Sequence, residues 1–170
     1  MASRQCRHHA SGGTFLSAIE IREALRVDDI ENIRVLFREY ADEVKESRCF
    51  DAFAQELANL PGNYSPPQGA LLLAAEGDDI LGCVGVRPLR AEICELKRLY
   101  VRPAQRGRSV GRRLAEAAFS AALRKGYRWM RLDTLPRMTE AQHLYRSLQF
   151  REVQGEGASN DVIYFERRLS

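Results

Sequence analysis

Seven cations, Lys97, Arg98, Arg102, Arg106, Arg108, Arg112 and Arg113, fall between Lys97 and Arg113 with no Asp or Glu among them. Such a stretch suits a polyanionic ligand. Gly107 and Gly111 let the backbone come close, and a helix opening after them aims its first amides and the positive end of its dipole the same way. Arginines at a helix N-terminus read as a phosphate cradle. The plainer reading is a solvated corner whose helix is capped by Ser109. The spacing excludes both GxxxxGK[ST] and GxGxxG with a downstream ribose-binding acid.

The segment before the loop sharpens the reading. Leu96 and Leu99 are three apart and Leu99 and Val101 two apart, so the alternation of a strand slips near Lys97 and Arg98. One extra residue there, a β-bulge, returns the apolar side chains to one face. A bulge also bends the strand and spoils its pairing, which frees backbone amides for a ligand. The expected site is a splayed strand followed by a phosphate-binding turn.

LKRLYVRPAQRGRSVGRRL resembles the central motif of the GNAT superfamily, the acyl-CoA dependent N-acyltransferases, whose loop reads [QR]-x-x-G-x-[GA] and stands here as Arg106-x-x-Ser109-x-Gly111. A second motif, AQHLYRSLQF from Ala141 to Phe150, is similar to the family's helix ending in LYxxxGF. Ser109 replaces the usual first glycine, and Gln149 the usual glycine before Phe150. The resemblance runs from about Ala18 to the C-terminus. It implies one α/β domain over 18–170, with a mixed, mostly antiparallel sheet of about seven strands flanked by four helices, and a bulged, splayed central strand.

Composition fits an ordinary globular domain: 170 residues, 45% hydrophobic, net charge +3. So mild a net charge leaves the local cluster to decide binding and argues against nucleic acid or membrane as partner. Cys6, Cys49, Cys83 and Cys94 lack metal-like spacing and read as reduced, mostly buried thiols of a cytoplasmic protein, with no metal expected. Residues 1–17 are basic, acid-free and without the apolar core of a secretory signal, so a flexible tail is expected, with an organellar transit peptide as the alternative. His8 and His9 belong to that tail.

The remaining pattern supplies the elements in the same order. Ala18 to Glu23 reads as a strand, and Asp28 with Glu31 as a capping box for a helix burying Ile30, Ile33, Phe37, Tyr40 and Val44. A second helix carries Phe50, Phe53, Leu57 and Leu60 up to Pro61-Gly62. Strands over Ala70 to Ala75 and Ile80 to Val86 lead into the bulged strand, and a helix from Ser109 to Lys125 stops at Gly126. Trp129 to Thr134 returns parallel to the bulged strand through a right-handed crossover. A helix over Thr139 to Leu148 and a hairpin of Phe150 to Val153 with Val162 to Leu169 complete the chain.

What the resemblance implies is direct transfer of an acetyl group from acetyl-CoA, the co-substrate, to a primary amine of a small molecule or peptide. Backbone groups of Leu99, Tyr100 and Val101 match the segment along the pantetheine arm, and Arg106, Gly107, Arg108, Ser109, Val110, Gly111 and Arg112 the turn around the pyrophosphate. Tyr145 matches the tyrosine that protonates the departing thiolate, and a phenol of pKa about 10 carries its proton at neutral pH. Glu95, on the bulged strand, is the candidate base, its structural alternative being an ion pair with Arg87 or Arg98; Asp133 is the substitute. Cys83 and Cys94 are better small hydrophobes than acyl carriers. Arg87, Arg98 and Arg137 hint at a carboxylate on the acceptor. A non-catalytic acyl-CoA-binding module on the same fold is the alternative function, and a homodimer is left open.

Overall fold

The structure is a computed structural model describing residues 18–45, 50–155 and 161–170, with the side chains of Phe50 and Asp51 excepted. The tail with Cys6, His8 and His9, as well as Cys49 and part of the Gly-rich turn of the last hairpin, lies outside them. Seven strands, β1 (Glu20–Glu23), β2 (Ala70–Glu76), β3 (Asp79–Arg90), β4 (Ile93–Val101), β5 (Trp129–Thr134), β6 (Arg151–Val153) and β7 (Ile163–Arg168), form one sheet in the order β1-β2-β3-β4-β5-β7-β6. Among these described strands only β4 and β5 pair in parallel, as the crossover helix between them requires.

Helices cover both faces. On one, α3 (Val110–Arg124) and α4 (Thr139–Ser147) pack on Leu72, Val84, Leu96, Met130 and Leu132. On the other, α1 (Val27–Val44) and α2 (Phe50–Ala58) cover Leu71, Leu73 and Cys83. Strand β2 is therefore apolar along both faces, ALLLAA, with every one of those residues buried. Helix α3 turns Ala115, Ala118, Ala121 and Ala122 to the sheet, all 0% exposed, and these small side chains let its axis come close. It ends where Gly126, at φ +90°, donates to the Leu123 carbonyl and Tyr127 to that of Ala122, a Schellman turn that needs a left-handed residue.

Two capping expectations are corrected. Helix α1 starts at Val27 and its N-cap is Arg26, so Asp28 lies inside the first turn rather than before it. Glu31 pairs with Arg34, and the acid that matters is the buried Asp29, held at 2.5 Å by Arg22 of β1. The negative charges of Asp28 and Asp29 still complement the helix dipole. The second correction, at Ser109, belongs to the site.

Candidate active site

The bulge in β4 is where the parity slip places it. Gly85 pairs with Lys97 and Cys83 with Tyr100, so two steps along β3 face three along β4. The extra residue is Arg98, at φ +56°. As a result Leu96, Leu99 and Val101 all pack toward α3 and α4, while Tyr100 faces α1. Pairing of β4 with β5 stops at Glu95↔Arg131, and beyond that point the strands part. Among the described residues the β4 edge there has no strand partner on the β5 side, as a ligand lying along it needs.

A cleft of about 730 Å³ opens at the parting. Its walls are Tyr40, Glu43 and Val44 of α1, residues 99–101 of β4, the loop residues Gln105 to Gly107 and Ser109 to Arg112, and residues 137–141 with Leu144 and Tyr145 around α4. Arg137 donates to the Val44 carbonyl, tying the loop before α4 to the end of α1. Of the residues expected to hold the cofactor, Leu99, Tyr100, Val101, Arg106, Gly107, Ser109, Val110, Gly111 and Arg112 line this cleft. Arg108 does not. Its guanidinium turns to Glu76 at 2.8 Å and to Gln105 at 2.5 Å.

Ser109 occupies the N-cap position of α3, yet its hydroxyl caps nothing, because at φ +60° it sits in the left-handed region rather than the extended one that capping uses. The first helical hydrogen bond runs from Arg113 N to Ser109 O at 3.1 Å, so the amides preceding Arg113 emerge at the helix mouth. With Gly107 at φ +78°, the turn presents them as an anion nest. Arg106 reaches across the cleft to Glu43 at 2.7 Å and donates to the Val101 carbonyl at 3.0 Å, and Arg112 anchors on Ser147 of α4 at 2.8 Å.

Tyr145 is 7% exposed, its ring wedged against Phe150 (5.8 Å between centroids) and Phe165 (6.1 Å). That packing fixes the phenol at the cleft wall. Burial pushes its pKa above the usual tyrosine range, and Tyr40 and Asp133 nearby push the same way. The helix ends in a second Schellman turn, Gln149 N to Arg146 O and Phe150 N to Tyr145 O, both 3.0 Å, with Gln149 at φ +66°. The two positions at which the family motifs carry glycine are thus left-handed here and filled by Ser109 and Gln149. His143 is exposed.

On the α1/α2 face the charges are matched. Glu95 accepts from Arg87 at 2.7 Å and is not among the cleft-lining residues, so its ion-pair alternative is the arrangement present. Arg98 grips Glu56 at 2.6 Å, lies over Phe53 (4.9 Å) and Tyr40 (5.7 Å), and Glu56 also accepts from Tyr64 at 2.5 Å. This locks the bulge to α2. Asp133 is held by Lys97 at 2.5 Å. Arg87 and Arg98, read as hints of an acceptor carboxylate, already have protein carboxylates. Burial raises the thiols of Cys83 and Cys94, the latter to about 12. Sequence reasoning missed Thr134, whose buried hydroxyl at the end of β5 has no hydrogen-bond partner among the described residues; a lone Thr in a strand gives no signal of that.

The acetyltransferase (GNAT) family matches residues 29–150, and the chain belongs to it. An uncharacterized N-acetyltransferase of Schizosaccharomyces pombe is 36% identical over 158 residues, 91% of this chain and 97% of that protein. Among solved structures, a GNAT-family acetyltransferase of Staphylococcus aureus has the same fold, with a TM-score of 0.76 at 22% identity over 90% of this chain and all (100%) of that one. The Salmonella typhimurium protein yncA, solved with acetyl-CoA, gives 0.66 at 20% identity, over 90% and 95%.

Proposed function

We propose that the protein transfers an acetyl group from acetyl-CoA to a primary amine of a small molecule or peptide, directly and without an acyl-enzyme. One observation carries this reading: the free edge of β4, the left-handed turn ahead of α3 and the Tyr145 phenol all open on one cleft. These residues fit acetyl-CoA, a thioester that supplies an activated acetyl carbon and a thiolate leaving group. The turn amides with Arg106 and Arg112 hold the pyrophosphate, and the β4 edge at Leu99 to Val101 takes the pantetheine arm and offers an amide to the carbonyl oxygen.

In this reading Tyr145 holds the proton meant for the sulfur. Its raised pKa keeps the phenol protonated across any working pH, so it always arrives as a donor. Glu95 is less well placed as a base. Its carboxylate is engaged by the Arg87 guanidinium at 2.7 Å and does not line the cleft, and we assign it to holding β3 and β4 together beneath the parting. A thiolate route through Cys83 is disfavoured by complete burial.

The test is a panel of amino acids, polyamines, aminoglycosides and peptides incubated with acetyl-CoA, scored by mass for a gained acetyl group and by thiol release. At least one amine should be acetylated with matching thiol. Stabilisation by CoA in a thermal shift, with neither product nor thiol for any amine, would make the protein an acyl-CoA binder instead.

A further inference from the structure

Where β4 and β5 part, a side-chain contact still spans the gap. Lys97 Nζ donates to Asp133 Oδ1 at 2.5 Å. The last backbone pair is Glu95↔Arg131, so these two residues continue its register by two positions on each strand. Their neighbours Leu96 and Leu132 pack under α3 and α4, which turns Lys97 and Asp133 to the opposite, α1/α2 face. An alkylammonium on a straight methylene stem therefore lies over the parting, just before the bulge. Neither residue lines the cleft itself, but Lys97 stands only two positions before Leu99, which does, so an acceptor nitrogen approaching a carbonyl held at Leu99 from this face passes beside the pair.

The other charges on this face offer an acceptor less. Arg87 is matched by Glu95, Arg98 by Glu56 and Arg131 by Glu166, at 2.7, 2.6 and 2.5 Å. Asp133 is the more open member of its pair, 34% exposed against 17% for Lys97. Burial alone would raise its carboxyl, but Lys97, with a backbone hydrogen bond and the more distant Arg98, outweighs that and brings it below the usual range, and the carboxylate is near enough to Tyr145 to be felt by the phenol. An incoming ammonium can replace Lys97 like for like, leaving the charge of the site unchanged while the lysine swings to water. A neutral aryl amine or a carboxylate has no equivalent exchange.

Building on the acetyl-transfer reading, we propose that Asp133 docks the acceptor's ammonium in exchange for Lys97, that the nitrogen gives up one proton to solvent water before it attacks the thioester carbon, and that the acceptor is a primary alkylamine on an unbranched chain, as in a diamine, a polyamine or a lysine side chain. The experiment uses putrescine as probe with the wild type, Lys97→Met, which keeps the stem without the charge, and Asp133→Asn. It reads acetyl transfer and, separately, the Tm gained from putrescine in the presence of CoA.

Lys97→Met should lower the KM for putrescine about tenfold and enlarge the Tm gain. Asp133→Asn should raise the KM by about tenfold or more, the scale of a lost hydrogen bond to a charged group, and abolish the gain. The KM for acetyl-CoA should stay constant in both. A raised KM in Lys97→Met, an unchanged one in Asp133→Asn, or acetylation of Lys97 itself in peptide mass spectra overturns the docking assignment. If other amines are acetylated while putrescine neither stabilises nor reacts, the acceptor class fails and acetyl transfer stands. Should nothing be acetylated although putrescine binding depends on Asp133, the docking site stands and the acetyl-transfer reading fails.

Discussion

Replacing Ser109 with glycine should stabilise the protein, against the general rule that a glycine at a helix start is neutral or worse. At φ +60° a side chain costs roughly 1–2 kcal/mol relative to the right-handed regions. Glycine removes that strain but returns roughly 0.5–1 kcal/mol through the freer unfolded chain. The Ser109 hydroxyl makes no capping bond, so none is lost. The net gain is centred on about 0.75 kcal/mol, with limits of about 0 and 1.5 kcal/mol, which is a rise of about 1.5–3 °C in Tm at the centre for a domain of this size. Gln149→Gly, at φ +66°, should gain a similar amount, and the double variant should approach the sum, since the residues lie in separate elements. Calorimetry reads this directly. A lower Tm for Ser109→Gly would refute the strain argument, and CoA affinity should hold or improve in the same variant.

The two loop arginines should separate in CoA titrations: Arg106→Ala, at the cleft wall, should weaken binding about tenfold, whereas Arg108→Ala, whose partner is Glu76, should change it less than about threefold. Alkylation with iodoacetamide at pH 8, mapped by peptide mass, should spare Cys83 and Cys94 in the native protein and modify both after denaturation, because burial keeps them thiols. Burial alone would raise Glu56, but the Arg98 and Tyr64 hydrogen bonds bring it below the usual carboxylate range. Its contribution to stability is therefore present above about pH 4.5 and lost as pH falls through the lowered value, and Glu56→Gln should flatten that acid limb of a Tm-against-pH curve.

Local pattern carried what depends on neighbours in the chain. The slip between Leu96, Leu99 and Val101 located the bulge to within a residue, and Gly126 marked the end of α3, because parity and left-handed termini are written in residue types. Ser109 misled for the same reason: serine is the commonest cap, and its type does not reveal the sign of φ. Asp28 misled because the choice of helix start rests on Asp29 meeting Arg22 from another element. Partnerships across long separations were least legible. Arg98 with Glu56 and Lys97 with Asp133 are 42 and 36 residues apart, and only the folded sheet decides which acid each cation meets. Tyr64 follows the helix-ending Pro61-Gly62 in a segment with no apolar periodicity, yet it is buried, its ring lying where Gly85 leaves room that any Cβ would fill at 2.5 Å.

The phenol at the cleft wall is assigned to the chemistry, and Tyr145→Phe isolates it. The ring contacts with Phe150 and Phe165 remain, and the hydroxyl has no hydrogen bond to lose among the described residues. With an amine acetylated by the wild type, turnover should fall by about 10²-fold or more, the scale of a lost general acid. CoA affinity and Tm should barely move. Because burial raises the phenol's pKa, the deficit should persist across the assay range up to about pH 9, with no basic limb from its ionisation in the wild type. Wild-type turnover in Tyr145→Phe would rule out the phenol as the acid, leaving water to protonate the thiolate.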